Sequence, residues 1–104
     1  MRVLPHMTVL VPCDALETQK AVRAAAEIEG PVYVRVARPV CPILTGEDTP
    51  FVPGKANVLR EGGDVAIVAT GLMVQRALAA AEMLAQEIGR AHVRTPVTRL
   101  NLVC

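Results

Sequence analysis

The sequence contains very few aromatic residues. Phenylalanine, tyrosine and tryptophan together make up 2% of its 104 residues, whereas hydrophobic residues as a whole make up 52%. A core must therefore be built from valine, leucine, isoleucine and alanine, which is typical of parallel-sheet α/β proteins. The length limits the architecture as well, because two complete α/β domains do not fit in a chain of this size.

Other residue types are scarce enough to exclude whole classes of protein. The three cysteines, at positions 13, 41 and 104, are odd in number and form no Cys-x-x-Cys pair, so we expect neither a disulfide framework nor a zinc site. No hydrophobic run approaches the roughly 20 residues of a membrane span, and the first residues do not resemble a signal peptide. The formal net charge is only +1, and the basic residues are scattered. We therefore expect a cytoplasmic protein with no membrane or nucleic-acid partner.

The first third of the chain predicts a strand, a helix and a second strand. An apolar, β-branched run over residues 8–11 stops at a proline and predicts a short buried strand. Asp14 and Glu17 have the spacing of a capping box, so a helix should begin just after Asp14 and continue to about Ile28. Strict alternation over residues 32–37 predicts the second strand. Two strands joined by a helix pair in parallel in open α/β sheets, and this is the predicted fold class.

A second strand-helix unit follows a segment rich in proline and glycine. Residues 39–63 predict a linker, within which residues 55–59 could form a short strand. Residues 65–69 are a fully apolar strand, and Thr70 and Gly71 open a helix. The predicted apolar seam of that helix consists of Met73, Ala77, Ala80 and Leu84.

Several blocks of the sequence occur in the order and spacing of a known family. They are residues 4–9 with 11–14, 30–38, 54–62 and 64–71. Together they resemble transketolase, and more closely the C-terminal subunit of split transketolases, over residues 1 to about 86. The resemblance implies that residues 1–38 end the pyrimidine-binding domain, residues 39–63 are the interdomain linker, and residues 64–87 begin the transketolase C-terminal domain.

The resemblance implies an enzyme of carbohydrate metabolism, acting in the pentose phosphate pathway. Such an enzyme uses thiamine diphosphate and a divalent metal such as Mg²⁺ to transfer a two-carbon ketol unit between phosphorylated sugars. The family's cofactor-activating and metal-binding residues have no counterpart in this sequence, so we assign no catalytic, cofactor-binding or metal-binding residue. We therefore expect a fragment that is inactive alone and belongs to a longer protein, called here the parent enzyme. Its partner would be an N-terminal transketolase subunit or domain, in a homodimer or a heterotetramer.

Other members of the same superfamily share this pair of domains. Deoxyxylulose-phosphate synthase and the β subunit of pyruvate-type dehydrogenases are the alternatives, and the block at residues 55–62 favours transketolase over both. From a different class, the chain could be a non-catalytic dimerisation module of the same fold.

One substrate-binding position carries over from the resemblance. Arg38 stands where the family has an arginine that binds the sugar phosphate at the end of a strand, although Pro39 follows it where the family often has glutamine. A guanidinium suits this role because its planar fork matches phosphate oxygens. The alternative is that Arg38 is an exposed charge that faces the linker.

Four further residues have a structural and a functional interpretation. His6 fits a loop residue better than a catalytic base, and Gly71 fits a tight turn better than an anion site. Cys13 precedes the helix, where a thiol pKa can be lowered, but we favour a small packing residue. Arg35 either faces a partner subunit or pairs with an acid on the sheet surface, and we favour the ion pair.

The end of the sequence differs in character from the rest. Residues 88–104 contain three arginines and none of the ten acidic residues. One frame of a common short-read sequencing adapter translates as Glu-Ile-Gly-Arg-Ala-His-Val, Thr-Pro-Val-Thr and Asn-Leu-Val-Cys, which resemble residues 87–93, 95–98 and 101–104. A single-base change would convert the adapter's stop codon to the arginine at position 94. We therefore predict that residues 88–104 are a non-native tail.

Amplifying the locus from source DNA tests the non-native tail. We expect the reading frame to depart from the present sequence near residue 88 and to continue into further transketolase C-terminal sequence. A frame that encodes residues 88–104 as written would contradict this prediction.

Overall fold

Two separate open sheets and two helices make up the fold. The structure, a computed structural model, describes residues 1–87 and 91–96. In chain order the elements are β1 (Thr8–Leu10), α1 (Ala15–Glu27), β2 (Val32–Val34), β3 (Ala56–Arg60), β4 (Val65–Val68), α2 (Met73–Glu87) and β5 (Ala91–Pro96). One sheet consists of β1 and β2, and the other has the order β3-β5-β4. The predicted α/β class is thus confirmed.

The first sheet is a parallel pair with a small aliphatic core. β1 pairs with β2 in the register Thr8 to Val32 and Leu10 to Val34, and Leu10 is fully buried. The predicted strand over residues 32–37 ends early, at Val34. Only the amide of Arg35 continues the ladder, donating to the Leu10 carbonyl at 2.8 Å. β1 has no further residues to pair with because it ends before Pro12, so residues 36–38 leave the sheet.

Helix α1 begins where the capping box predicted. The Asp14 carboxylate accepts a hydrogen bond from the Glu17 amide at 2.8 Å, and the helix ends at Glu27, next to its predicted end. In a capping box the Glu17 carboxylate would also accept a hydrogen bond from the amide of Asp14. Here it accepts one from the amide of the preceding residue, Cys13, at 2.6 Å. Both orphan amides are satisfied all the same, which stabilises the first turn.

Asp14 also anchors the proline-rich segment to the helix. Its second carboxylate oxygen accepts from the amides of Leu44 at 2.8 Å and Thr45 at 2.6 Å, and the Thr45 hydroxyl lies 2.9 Å from the same oxygen. Nearly two turns further along α1, the Lys20 ammonium donates to the carbonyls of residues 46, 47 and 49 at 2.7–2.8 Å. Two side chains of one helix therefore hold residues 44–49 in place.

The balance of these interactions keeps Asp14 ionised. Burial raises the pKa of the carboxyl group, but the hydrogen bonds from the amides of Glu17, Thr45 and Leu44 and from the Thr45 hydroxyl outweigh it, so the net pKa lies below the ordinary value. A charged acceptor makes stronger hydrogen bonds than a neutral one. The anchor therefore depends on the negative charge of Asp14.

The second sheet is mixed. β4 pairs with β5 in parallel, and β3 pairs with β5 antiparallel, with an irregularity between Val58 and Arg60. β3 lies within residues 39–63, the predicted linker, at the place where a short strand was considered. β5 lies within the predicted non-native tail. The rest of that tail, residues 88–90 and 97–104, lies outside the described residues.

Helix α2 buries a slightly different stripe from the one predicted. Its buried residues are Val74, Ala77 and Ala81, whereas Met73 is 55% exposed and Ala80 is exposed. Ala77 and Ala81 pack against Ile67, Ala69 and Leu78. The predicted seam was wrong at Met73 and Ala80 because the buried stripe follows Val74, Ala77 and Ala81, which are spaced by three and four residues on one face of the helix. Within the described residues, neither helix is long and apolar enough to cross a membrane.

The turn before α2 touches the end of β1. The Thr70 hydroxyl donates to the Val11 carbonyl at 3.1 Å. Gly71 is buried and has a φ of +59°, and a Cβ at this position would lie 3.1 Å from Cγ1 of Val11. Glycine is favoured for two reasons: the left-handed backbone and the close approach of Val11. This confirms the interpretation of Gly71 as a tight turn.

Substitution of Asp14 by asparagine in the parent enzyme tests the anchor. Asparagine can still cap α1 through its single side-chain oxygen, but it has no second acceptor for the hydrogen bonds from the amides of Leu44 and Thr45. We therefore expect a loss of about 1–3 kcal/mol in the free energy of unfolding. Because the folded pKa of Asp14 is depressed, the wild-type advantage should be present above the unfolded pKa of about 3.9 and should disappear as pH falls through the folded pKa. Denaturant titrations at several pH values measure this. Asp48→Asn, at an exposed position of the same loop, is the control, and equal effects of the two substitutions would contradict the anchor.

Substitution of Gly71 by alanine tests the contact between the two units. We expect Gly71→Ala to destabilise the parent enzyme by about 1–2 kcal/mol, because alanine is strained at a positive φ and Val11 must move. Gly63 is the matched control, since a Cβ there would meet nothing within 4 Å. Denaturant titration should show little change for Gly63→Ala, and a similar loss in both variants would mean that the turn has no special role.

Candidate functional site

A cavity lies where the first sheet meets the turn before α2. The carboxyl ends of parallel strands meet at one edge of a sheet, and ligands of open α/β sheets bind beyond that edge. Here β1 continues into Val11 and Pro12, and β2 continues into residues 35–39. Residues 70–73 form the facing wall. The cavity has a volume of about 540 Å³, and the residues that line it are Val11, Pro12, Arg35, Val36, Ala37, Arg38, Pro39, Thr70, Gly71, Leu72 and Met73.

Arg38 lines this cavity, at the position the sequence predicted for a substrate-binding residue. Its side chain is exposed, and it forms no hydrogen bond or ion pair with the side chains described, those of residues 1–86. A free guanidinium at the mouth of a cavity can bind an oxyanion through two parallel hydrogen bonds. The geometry therefore leaves Arg38 available for an anionic ligand.

Arg35 lines the same cavity, which the sequence did not indicate. It also lines a neighbouring cavity of about 300 Å³, together with Met1, Arg2, Val9, Val11, Tyr33 and Thr70. The preferred interpretation of Arg35 as half of a surface ion pair finds no support in the described side chains, because no carboxylate in residues 1–86 pairs with it. β2 ends at Val34, so Arg35 lies at the edge of the sheet rather than on its face.

The electrostatic character of the site follows from its composition. Among the residues whose side chains are described, no acidic residue lines either cavity, whereas Arg35 and Arg38 both line the larger one. Cavity walls of low dielectric strengthen the field of unpaired charges of one sign. Among the described residues, the carboxylates nearest in sequence to the cavity's β1 side, Asp14 and Glu17, are both buried and hydrogen-bonded to backbone amides. The site therefore favours an anion.

The remaining candidates from the sequence do not contribute reactive groups. Cys13 is buried, and burial together with the nearby carboxylates of Glu17 and Asp14 raises the pKa of its thiol well above the usual range. It therefore stays protonated and serves as a packing residue. His6 is exposed, adopts a φ of +60° in a turn and is not among the residues that line either cavity.

The described residues do not fit a site for thiamine diphosphate or its metal. They contain no group of three His, Cys, Asp or Glu side chains that could hold a metal ion. Every buried side-chain nitrogen and oxygen of this part of the chain already has a hydrogen-bond partner, so no buried polar atom is left over to bind a cofactor. What the arginines of the cavity offer is recognition of an anion.

Sequence reasoning also missed the facing wall of the cavity. Thr70 lies 59 positions from Val11 in the chain, yet their hydroxyl and carbonyl are joined by a hydrogen bond. The sequence signal that could have indicated Thr70 is its position just after a strand. Thr70 follows the apolar strand β4 at its carboxyl end, as Arg38 follows β2, and such positions commonly carry ligand-binding residues.

Comparison with known proteins places this arrangement in a family. Residues 54–98 match the model for the transketolase C-terminal domain. This match runs past residue 87 and so includes part of the predicted non-native tail.

Curated relatives resemble most of the chain. A 6-deoxy-6-sulfo-D-fructose transketolase subunit from Clostridium sp. is 48% identical over 86% of this chain and 28% of its own length. An apulose-4-phosphate transketolase subunit from Phocaeicola vulgatus is 40% identical over 89% of this chain and 30% of its own length. A 1-deoxy-D-xylulose-5-phosphate synthase from Oleidesulfovibrio alaskensis is less similar, at 36% identity over 88% of this chain and 15% of its own length.

A solved structure agrees in shape as well as in sequence. A protein described as a split gene transketolase, inactive β4 tetramer, superposes with a TM-score of 0.88 at 50% identity, over 93% of this chain and 32% of its own. The chain thus spans less than a third of the length of each of these relatives. From the family match, the split-subunit relatives and this structure, the chain is similar over most of its length to a C-terminal section of transketolases of the split type.

Proposed function

We propose that the chain is part of a transketolase that transfers a two-carbon ketol unit between phosphorylated sugars, and that Arg38 binds the phosphate group of a sugar substrate. The observation that carries this proposal is that Arg38, which has no partner among the described side chains, lines a cavity in which none of the described lining residues is acidic. The cavity lies beyond the carboxyl ends of β1 and β2, where open α/β sheets bind ligands. The relatives support an anionic sugar, since their names include one phosphorylated and one sulfonated sugar.

The contribution of this section would be to bind and orient the substrate. Holding the phosphate end of a sugar fixes the position of its reacting carbon, and positioning of this kind can supply a large part of a rate enhancement. Thiamine diphosphate, when bound to the complete enzyme, would supply the carbanion chemistry of ketol transfer. Because the described residues do not fit that cofactor or its Mg²⁺, we assign the cofactor site to other parts of the enzyme.

The proposed assembly includes an N-terminal transketolase subunit in a homodimer or heterotetramer in the cytoplasm. Two of the relatives are named as subunits, and the similar solved structure is an inactive tetramer of one chain type. These names support a section that needs a partner for activity.

A second candidate has some support from the comparisons. The resemblance to 1-deoxy-D-xylulose-5-phosphate synthase is weaker than that to the transketolase subunits, but it covers a similar share of the chain. Formation of 1-deoxy-D-xylulose 5-phosphate by the reconstituted parent enzyme, in place of ketol transfer, would favour this alternative.

Substitution of Arg38 by alanine in the parent enzyme tests the proposed role. Loss of a charge-assisted contact to phosphate should cost about 1.5–3 kcal/mol, which lowers kcat/KM for phosphorylated sugars by roughly ten- to a hundredfold. Unphosphorylated analogues should react at nearly the wild-type rate.

A control separates binding from stability. Arg23→Ala removes an exposed arginine from α1, away from the cavity-lining residues, and should leave kcat/KM unchanged for both kinds of substrate. If Arg38→Ala lowers kcat/KM equally for phosphorylated and unphosphorylated sugars, Arg38 is structural and the proposal fails.

A further inference from the structure

Arg35 is fixed at the boundary between the two cavities. Its amide donates to the Leu10 carbonyl at 2.8 Å, which extends the β1-β2 ladder by one residue and holds the backbone at this point. Its side chain lines the cavity of about 540 Å³ that contains Arg38 and the cavity of about 300 Å³ that contains Arg2. The backbone of Arg35 is therefore held by the sheet, and the residue lines both cavities.

Two unpaired guanidinium groups in one cavity call for a ligand with more than one negative charge. Arg35 and Arg38 are the only charged residues among the described residues that line the larger cavity. Because both side chains are positively charged, an anion that contacts both would offset their mutual repulsion. A phosphate monoester carries a charge of about −1.5 to −2 at neutral pH because its second pKa is about 6. A sulfonate carries only a single negative charge.

We infer that Arg35 is a second phosphate-binding residue, acting with Arg38 on the same group, and that this pair makes the cavity selective for a phosphate dianion over a sulfonate. The inference rests on the proposed function, and it adds a residue and a specificity to it. The contrast is relevant to this family, since one relative is named for a sulfonated sugar and another for a phosphorylated one. Charge matching of this kind discriminates between substrates of nearly equal shape.

The experiment uses the reconstituted parent enzyme with both subunits. The variants are Arg35→Met, which keeps an aliphatic stem of similar length, Arg35→Lys, which keeps the charge, and Arg23→Met as the control on an exposed arginine outside the cavity. Values of kcat/KM are measured for a phosphorylated sugar, its sulfonated analogue and the unphosphorylated sugar. Binding of inorganic phosphate is measured by calorimetry, which does not depend on turnover.

We expect Arg35→Met to lower kcat/KM for the phosphorylated sugar by about tenfold or more, to affect the sulfonated sugar less and to leave the neutral sugar unchanged. Arg35→Lys should recover part of the loss. In the wild type, KM for the phosphorylated sugar should rise as pH falls below about 6, because the phosphate becomes a monoanion, whereas KM for the sulfonated sugar should stay constant. Arg35→Met should weaken that pH dependence and should weaken phosphate binding.

Several results would overturn the inference, and they differ from failure of the proposed function. Arg38→Ala could lower kcat/KM only for phosphorylated sugars while Arg35→Met changes neither kcat/KM nor phosphate binding. In that case Arg35 does not bind phosphate, and the proposed function stands. If Arg35→Met lowers kcat/KM equally for all three sugars, its role is structural and the inference is also wrong. If ketol transfer is absent from the wild type, the proposed function fails, and the calorimetric comparison still decides whether Arg35 binds phosphate.

Discussion

The carboxylate of Asp14 is the interaction on which the rest of the structure depends. One oxygen caps α1 through the Glu17 amide, and the other holds the amides of Leu44 and Thr45. The helix that crosses from β1 to β2 and the segment that leaves β2 are therefore joined at one buried charge. Together with Lys20, this junction holds residues 44–49, the segment that follows Arg38 by a few residues.

The second constraint is the close contact between the end of β1 and the turn before α2. The first strand-helix-strand unit (β1, α1 and β2) and the second unit (β4 and α2) meet at this point. The hydrogen bond from Thr70 to Val11 and the absence of a side chain at Gly71 allow this close contact. A cavity forms beside the contact, with one wall from each unit. The site is therefore a property of the pair of units, and neither unit alone would enclose it.

Local patterns predicted much of the fold but little of how its parts meet. The spacing of Asp14 and Glu17 located the start of α1 correctly because a cap depends on neighbours in sequence. The same spacing could not reveal that Asp14 also binds residues 44 and 45, which are about thirty positions away. The resemblance singled out Arg38. Alternation left Arg35 with either a partner subunit or an acidic neighbour, and the favoured acidic neighbour is not found among the described side chains, where β2 ends one residue before Arg35.

The central claim is that the substrate phosphate binds at Arg38, between the end of β1 and the turn before α2. A crystal structure of the complete enzyme with a bound sugar phosphate tests it most directly. We predict phosphate oxygens within about 3 Å of the Arg38 guanidinium, in the cavity that Thr70 and Gly71 close. A phosphate bound elsewhere, with the Arg38 side chain in solvent, would contradict the account.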